Sequence, residues 1–599
     1  MHLQKLVLKD FRSFVDAEIH FAQDMTVLTG ANNSGKSSVV DALRLVLTAA
    51  DYRQRLYPKV EDLRDGYSAL TIKISFDELT DDQQGLLITA IGDLEEGIAH
   101  FGFRWTPPEA QDSRFSHPER WAGPREGAEP EPEARQWIRY VYLRALRDAQ
   151  RELASSRPDQ IEFLLKHFAE EEGEYSVDHL EATALQAISQ VQDHGLIRRA
   201  SDRISDDLSE ITQGVQKHTT SLGFADPKLR SLARDLRLRL RQEGFEPTDI
   251  ARSGLGIANL LYISCVLVEL AAARDTHLTV FLVEEPEAHL HPQLQAVLLG
   301  YLRDKAQESH KNETSLGVPE GRIQIVVATH SPNLAASVPI EDVVVLRSCT
   351  KYQSQTADST TDPPEKVVPV LANVAVPIAK LGLDKRNAKK ISRYLDVTKS
   401  ALLFSPHTLL VEGISEALLL PLFAEKVFAG TDSEALARFR GATLVPIAGV
   451  DFEPYLKLLL TRFKGQCIAD LVVVLTDDDD SGARVKWLKK KAEEMNAGGL
   501  LEVVPVPITL EAAIFNAGNG DLLRKVFHEC RPNLDEEFQK NVLSAPDQGK
   551  AYVALLHDKQ VRKGDHAQIL AEKIEAGKSF NVPAPLETAI RKITGNPPS

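Results

Sequence analysis

Gly30-Ala31-Asn32-Asn33-Ser34-Gly35-Lys36-Ser37 decides the fold. It fits G-x-x-x-x-G-K-[ST] in full, and it lies between an apolar run, Met25 to Thr29, and a stretch of helical period, Ser38 to Ala50. Strand, glycine loop and helix in that order build a phosphate cradle. The glycines let backbone N–H groups curl around phosphate oxygens, and the helix N-terminus adds its partial positive charge. Lys36 then reaches the β- and γ-phosphates and the Ser37 hydroxyl binds Mg²⁺. Gly30, Asn33, Gly35, Lys36, Ser37 and Ser38 are the candidate contacts to ATP.

Working outward, Leu3 to Phe14 alternates as a half-buried strand does. Thr279 to Val283 is an apolar, β-rich run that ends in Glu284 and Glu285, the two carboxylates a P-loop ATPase needs. Glu284 would hold Mg²⁺ through water, and Glu285 would polarise the attacking water from beside the metal. The plain alternative is that both acids favour the start of the next helix. A third strand, Ile323 to Ala328, leads into VVATHSP, where His330 is placed to sense the γ-phosphate; an isolated histidine would more often be structural. His289 and His291 have no third partner nearby, so no zinc site is expected.

Thr106 to Gln136, rich in Pro, Glu, Gly and Arg, reads as a surface excursion, and Asp159 to Thr220 as helices inserted into a split domain. Leu236 to Arg241 alternates Leu and Arg, which puts Arg237, Arg239 and Arg241 on one strand face, most simply a solvated one. Ser348 to Lys366, with TDPPEK, reads as a linker. After about Ala401 a second α/β cycle begins, with strands at Thr408 to Val411, Ala442 to Ile447, Leu471 to Leu475 and Leu501 to Val506, and helices from Ile414, Phe452 and Ser481.

The second cycle carries its own acids. Glu412 ends one strand, and Glu416 follows four residues later on the next helix, so both can face one cavity. Leu471 to Leu475 runs into Thr476-Asp477-Asp478-Asp479-Asp480-Ser481-Gly482. Asp477 and Asp479 have the i, i+2 spacing that meets a single hard cation, and four adjacent acids repel unless a cation offsets them. Mg²⁺ or Mn²⁺ fits best. A solvated acidic turn is the alternative for this run taken alone.

Composition narrows the rest. At 599 residues, 43% hydrophobic and 26% charged, the chain can bury several cores and is not disordered. Its net charge of −16 leaves no global attraction for a polyanion, so any nucleic-acid contact needs local basic patches or metal ions. Cys265, Cys349, Cys467 and Cys530 are far apart, which argues against disulfides and structural zinc. Neither a signal-peptide core nor a membrane span is visible, so the expected location is cytoplasmic, with no membrane partner.

The first 340 residues or so, with LKDFRSF, GANNSGKSS, Ser253-Gly254-Leu255-Gly256, FLVEEPEAHLHP and VVATHSP in order, resemble the ATP-binding-cassette ATPases of the chromosome-maintenance and recombination-repair type. That resemblance implies a head whose nucleotide is completed by a partner's signature segment, here Ser253, Gly254 and Gly256. The segment is not the usual LSGGQ, and Glu284 stands where Asp is commoner. VEGISE and VLTDDDD together resemble the Toprim domain of topoisomerases, primases and certain nucleases. By that resemblance Glu412, Asp477 and Asp479 are metal ligands, and Glu416 and Glu511 complete a second metal position, for two Mg²⁺ or Mn²⁺ ions in all.

An N-terminal cassette ATPase joined to a C-terminal Toprim domain resembles the OLD (overcoming lysogenisation defect) family of nucleases, which includes the nuclease subunit of the Gabija anti-phage system. The fold class expected is therefore α/β, an ABC-type P-loop ATPase with a helical insert followed by a Rossmann-like Toprim domain. The expected divisions are 1–158 and 223–385 for the ATPase, 159–222 for the insert and 400–599 for the Toprim domain. The resemblance further implies that Lys563 is the basic catalytic residue and that the insert mediates a homodimer or higher homo-oligomer. Read alone, Lys563 would be an exposed helix lysine.

The function expected is an ATP-regulated, metal-dependent DNA endonuclease of anti-phage defence or DNA repair, with Glu285, Lys563, Asp477 and Glu412 as catalytic residues and a helicase as a possible partner. The alternatives are a DNA-holding repair or clamp ATPase whose Toprim domain does not cut, and an RNA-directed effector nuclease.

Overall fold

In a computed structural model, residues 1–599 are described except 50–54, 109–116, 128–135, 145–160, 163, 167, 170–175, 213–215, 217, 237, 238, 242–247, 250–253, 273–275, 289, 312–320, 356–365, 396–398, 479–481, 533 and 596–599. Ser253, His289, Arg237, Asp479 and Asp480 thus lie outside the described residues.

The apolar runs met in the sequence become the middle of a seven-stranded sheet. Its order is Lys366–Pro377, Val343–Gln355, Met25–Thr29, Arg322–Ala328, Leu278–Glu284, Ile138–Leu143 and Thr48–Ala49. Met25–Thr29, Arg322–Ala328 and Leu278–Glu284 pair in parallel and are buried almost throughout, as strands covered on both faces must be. Parallel pairing sends their C-terminal ends to one edge. The glycine loop, Glu284 and His330 therefore meet although some 250 to 300 residues separate them.

A second sheet of five antiparallel strands, in the order Phe14–His20, His2–Phe11, Leu70–Asp77, Ala99–Trp105 and Glu119–Ala122, packs over the helix Lys36–Val46. Two sequence expectations change here. Leu3 to Phe14 is not one strand but a hairpin, turned at Arg12 and Ser13, with Asp10 and Arg12 at φ 52° and 50°. Thr106 to Gln136 is not wholly an excursion, because Glu119–Ala122 pairs as an edge strand and buries Trp121.

Ser348 to Lys366 is likewise no simple linker. Val343–Gln355 and Lys366–Pro377 form a long antiparallel pair through Gln355 and Lys366, with 356–365 outside the described residues. The pair stands at one end of the strand order. The inserted segment contains the helices Val177–Gln192 and Gly195–Thr212, neither with a buried residue. Arg239–Leu240 is a two-residue strand paired with Thr248–Asp249.

The C-terminal region is a four-stranded parallel sheet, in the order Thr443–Pro446, His407–Val411, Leu471–Asp478 and Leu501–Pro507, with helices on both faces. Leu471–Asp478 extends three residues beyond the apolar run, which carries Asp477 into the ladder. One apolar core continues from Val327 and Val345 of the first sheet through Ile391 and Leu402 to Val472 and Val474 of the last. The guanidinium of Arg347 reinforces the join, donating to the carbonyls of Cys467 at 2.8 Å and Ile468 at 3.0 Å and pairing with Asp470. Cys349, Cys467 and Cys530 are free thiols. Among the described residues, no helix is long and apolar enough to cross a membrane.

Candidate functional site

At the first site the backbone conformation requires the glycines. Gly30 has φ 146°, and a Cβ there would lie 2.0 Å from the carbonyl oxygen of Leu346. Gly35 caps the helix Lys36–Val46 at φ 95°, and its Cβ would meet the Phe14 ring at 2.6 Å. Asn33, at φ 61°, is held through its carbonyl by the Asn373 side-chain amide at 3.1 Å. That amide also donates to Ser13 Oγ at 2.6 Å, so the hairpin turn and the edge strand brace the loop together.

Lys36 is buried, and its ammonium donates to the carbonyls of Gly30 at 2.7 Å and Ala31 at 2.8 Å. Burial pushes its pKa down to about 8, against the pull of Glu285 and Glu287. Ser37 is exposed, and Ser38 lies 3.4 Å from Arg12, which also grips Asp41 and Asp62.

Glu284 accepts a hydrogen bond from the Tyr142 hydroxyl at 2.5 Å, while its buried Oε1 has no partner. Burial first, and then the Glu284 charge, raise the Tyr142 pKa, so the phenol stays a donor. Glu285 adopts φ 46° and sets its Oε1 3.3 Å from His330 Nε2. Burial, then Lys36, lower the His330 pKa, so it is neutral at physiological pH. Glu287 accepts from Thr329 Oγ1 at 2.6 Å and the His330 N–H at 2.9 Å, and its Oε2 too is buried without a partner. Orphaned carboxylate oxygens beside a phosphate cradle fit a hydrated Mg²⁺ and nucleotide.

Thus Gly30, Asn33, Gly35, Lys36, Glu284, Glu285 and His330 gather at one sheet edge. Gly254 is exposed and Gly256 half-buried at the start of the helix Leu255–Ala272, where a partner's nucleotide would have to reach them. Tyr142 and Asn373 carry no motif signal, and strand pairing brings them to the loop; Arg12 and Glu287 stand inside LKDFRSF and FLVEEPEAHLHP, but the motifs alone give them no role.

At the second site, Glu412 follows the strand His407–Val411, and Asp477 lies on its parallel neighbour. Glu412 Oε1 accepts from Thr476 Oγ1 at 2.5 Å, the Asp477 N–H at 2.9 Å and Arg484 Nη1 at 2.9 Å. Arg484 Nη1 also donates to the Asp477 carbonyl at 3.0 Å. Arg484 gives no signal in the sequence beyond its place in the helix Ala483–Glu494 after the acidic run. Asp478, on the strand's other face, instead accepts the Gly482 N–H at 2.6 Å and closes the turn.

Glu416 and Glu511 are buried. Glu511 accepts from Thr509 Oγ1 at 2.9 Å and has Lys563 Nζ 3.7 Å from its other oxygen. Lys563 is 65% exposed, and its carbonyl is held by the Ser415 hydroxyl at 3.3 Å. Asp477 has its pKa raised to about 8, chiefly by burial and then by the charges of Glu412, Glu416 and Glu511. Burial first, and then the charges of Glu511 and Glu412, raise Glu416. Burial opposes the Lys563 charge, but Glu511, Asp477, Glu416 and Glu412 outweigh it and raise the pKa. The four acids and the lysine therefore share one electrostatic site.

Their oxygens suit hard divalent cations. Among the described residues, however, no three His, Cys, Asp or Glu side chains are already gathered into a ligand set. The expected fifth acid, Asp479, is outside those residues.

The fold and its two sites define a P-loop ATPase joined to a Toprim domain. The chain belongs to the AAA ATPase domain family, whose model matches residues 1–122 and 132–335, and residues 403–479 match the overcoming lysogenization defect protein-like Toprim domain. This pairing is the one the resemblance to the OLD family led us to expect.

Among curated proteins, the OLD nuclease of Thermus scotoductus is 24% identical over 450 residues, 73% of this chain and 76% of that one. The DNA replication and repair protein RecF of Magnetococcus marinus is 37% identical over 54 residues, 9% of this chain and only 14% of its own length. Solved structures that match include the SmcHead bound to the C-winged helix domain of ScpA, with TM-score 0.36, 17% identity and coverage of 63% of this chain and 99% of that one. The C-terminal region of the Burkholderia pseudomallei OLD protein has TM-score 0.25, 24% identity and coverage of 32% and 98%.

Proposed function

We propose that this protein is an ATP-regulated, divalent-metal-dependent DNA endonuclease of the cytoplasm, serving anti-phage defence or DNA repair. The observation that supports the reading is the placing of Glu412 beside Asp477, whose pKa Glu412, Glu416 and Glu511 help push up to about 8, with Lys563 3.7 Å from Glu511. A carboxyl that burial and neighbouring acids hold protonated, as at Asp477, offers a ligand that ionises as a cation enters. Two divalent ions bound there would activate water and stabilise the leaving oxygen of a phosphodiester.

The protein's own groups have separate tasks. Glu412, Asp477 and Asp479 would hold the metals, Glu416 and Glu511 would complete the second position, and Lys563 would offset negative charge on the phosphate. Arg484 would fix the orientation of Glu412 from behind. At the first site Lys36, Ser37 and the glycine loop would hold ATP, Glu284 would help hold Mg²⁺, Glu285 would polarise the attacking water and His330 would report the γ-phosphate.

Residues 1–158 and 223–385 form the ATPase in this reading, 400–599 the nuclease domain, and 159–222 a dimerising insert. The insert leaves Leu185, Val191, Leu196 and Ile211 more than half exposed, the kind of surface a second copy covers. Ser253, Gly254 and Gly256 would then meet the partner's nucleotide, and a helicase remains a possible further partner.

The test is incubation of the pure protein with supercoiled DNA and RNA across Mg²⁺ and Mn²⁺, with and without ATP, comparing wild type and Asp477→Ala. Metal-dependent cutting of DNA lost in the variant, with ATP turnover kept, is expected. Wild-type DNA binding without cutting would favour a clamp, and cutting of RNA alone an RNA-directed nuclease.

A further inference from the structure

The helix Lys385–Tyr394, KRNAKKISRY, concentrates positive charge in a chain of net charge −16. Ala388 and Ile391 are buried against the join between the two domains, while Lys385, Arg386, Lys389 and Arg393 are exposed. These four make no ion pair with any described residue. The arrangement works against the helix's own stability. Lys385 and Arg386 sit in the first turn, where the helix dipole disfavours cations, and Lys385 with Lys389, Arg386 with Lys390, and Lys389 with Arg393 are like-charge pairs at i, i+4. Asp384 offsets part of this as N-cap, accepting from the Asn387 N–H at 2.8 Å. Uncompensated repulsion on a rigid, packed helix is what a polyanionic ligand relieves.

The helix is also joined to the second site. Lys390, the one cation of the group paired to a described residue, bonds Asp451. Asp451 lies in the loop after the strand Thr443–Pro446, and in that loop the Gly449 N–H donates to the carbonyl of Glu412 at 3.0 Å. The ridge and the acid site are thus two ends of one short connection.

We propose that Lys385, Arg386, Lys389 and Arg393 form a backbone-binding ridge that seats duplex DNA beside the Toprim acids. A membrane surface would need an apolar stripe next to the cations. Here the apolar stripe of the helix is buried in the protein. From Lys385 to Arg393 the helix rises about 12 Å, over which one strand of B-DNA carries three to four phosphates. Such contacts position DNA without reading its sequence. The proposal rests on the reading of this chain as a DNA-acting enzyme.

The test measures binding alone, in EDTA, so that it is independent of cutting. The full-length protein is titrated into a fluorescent 30-base-pair duplex across a KCl series, comparing wild type, the quadruple variant Lys385→Gln/Arg386→Gln/Lys389→Gln/Arg393→Gln, and the charge-keeping variant Lys385→Arg/Arg386→Lys/Lys389→Arg/Arg393→Lys. Each lost phosphate contact removes about 0.9 from the slope of log affinity against log salt, so the glutamine variant is expected to lose about three to four units and to bind more than about tenfold more weakly at 100 mM KCl. The charge-keeping variant is expected to match wild type.

Removing repulsion should leave the melting temperature equal or higher. If the quadruple variant fails to fold, Lys389→Gln and Arg393→Gln singly are each expected to lower the slope by about one. Equal slopes in wild type and glutamine variants would overturn the ridge, even if the enzyme cuts DNA. A preference for an RNA duplex of the same length, lost in the same variants, would overturn its assignment to DNA. Failure of wild type to cut plasmid in Mn²⁺ would count against the nuclease reading and leave the binding result standing.

Discussion

Arg484 Nη1 lies 2.9 Å from Glu412 Oε1 and 3.0 Å from the carbonyl of Asp477, so one guanidinium spans the ends of the two strands that carry the acids. It neutralises one oxygen of Glu412 and fixes the direction of the carboxylate. Oε2 takes no hydrogen bond from any described residue, and in the proposed function it is the oxygen that would meet a cation.

Arg484→Ala is therefore expected to lower metal-dependent cleavage about 10- to 100-fold, the usual effect of losing a group that orients a metal ligand. ATP turnover should be unchanged. Cleavage rate measured against Mn²⁺ concentration checks this, and Arg484→Lys should recover only part of the loss, since an ammonium cannot span both acceptors in the same plane.

Much of this was legible in the sequence. The glycine loop, the Glu284-Glu285 pair and the Glu412 and Asp477 strand ends all stand where a buried apolar run turns polar, which is a local signal. Arg484, Tyr142 and Asn373 gave none, because their roles come from the three-dimensional arrangement: Tyr142 pairs with Leu282 in the strand that ends at Glu284. Ser348 to Lys366 misled for a related reason. Its polar composition suggested a loop, while the pairing of Val343–Gln355 with Lys366–Pro377 decides the conformation of its described ends.

Tyr142 is the only hydrogen-bond donor to Glu284 among the described residues. Tyr142→Phe leaves that carboxylate with neither oxygen bonded, and is expected to destabilise the nucleotide-free protein by about 1–3 kcal/mol. Bound MgATP should restore part of the loss, because a ligand that binds only the folded state stabilises it. Calorimetric melting with and without MgATP measures both effects.

Lys36 sets a pH limit on nucleotide binding. Its pKa in the free protein is about 8, below the ordinary lysine value, and phosphate needs the ammonium form. ATP affinity is expected to hold up to about pH 7 and then to fall about tenfold per unit above pH 8, with proton uptake on binding. The unfolded chain keeps this proton up to about pH 10.5, so the destabilising effect of burying Lys36 shrinks as pH rises from 8 to 10.5. Titration calorimetry in two buffers of different ionisation enthalpy reads the proton directly, and Lys36→Ala should abolish ATP turnover.

The acids at 412 and 477 bear the central claim, and replacing one carboxylate oxygen tests them with little change of shape. Wild type and Asp477→Asn are compared for conversion of supercoiled plasmid to nicked and linear forms in Mn²⁺, with ATP hydrolysis followed in the same samples. Cleavage is expected to disappear in Asp477→Asn while hydrolysis continues. Equal plasmid cleavage by both proteins would contradict that claim.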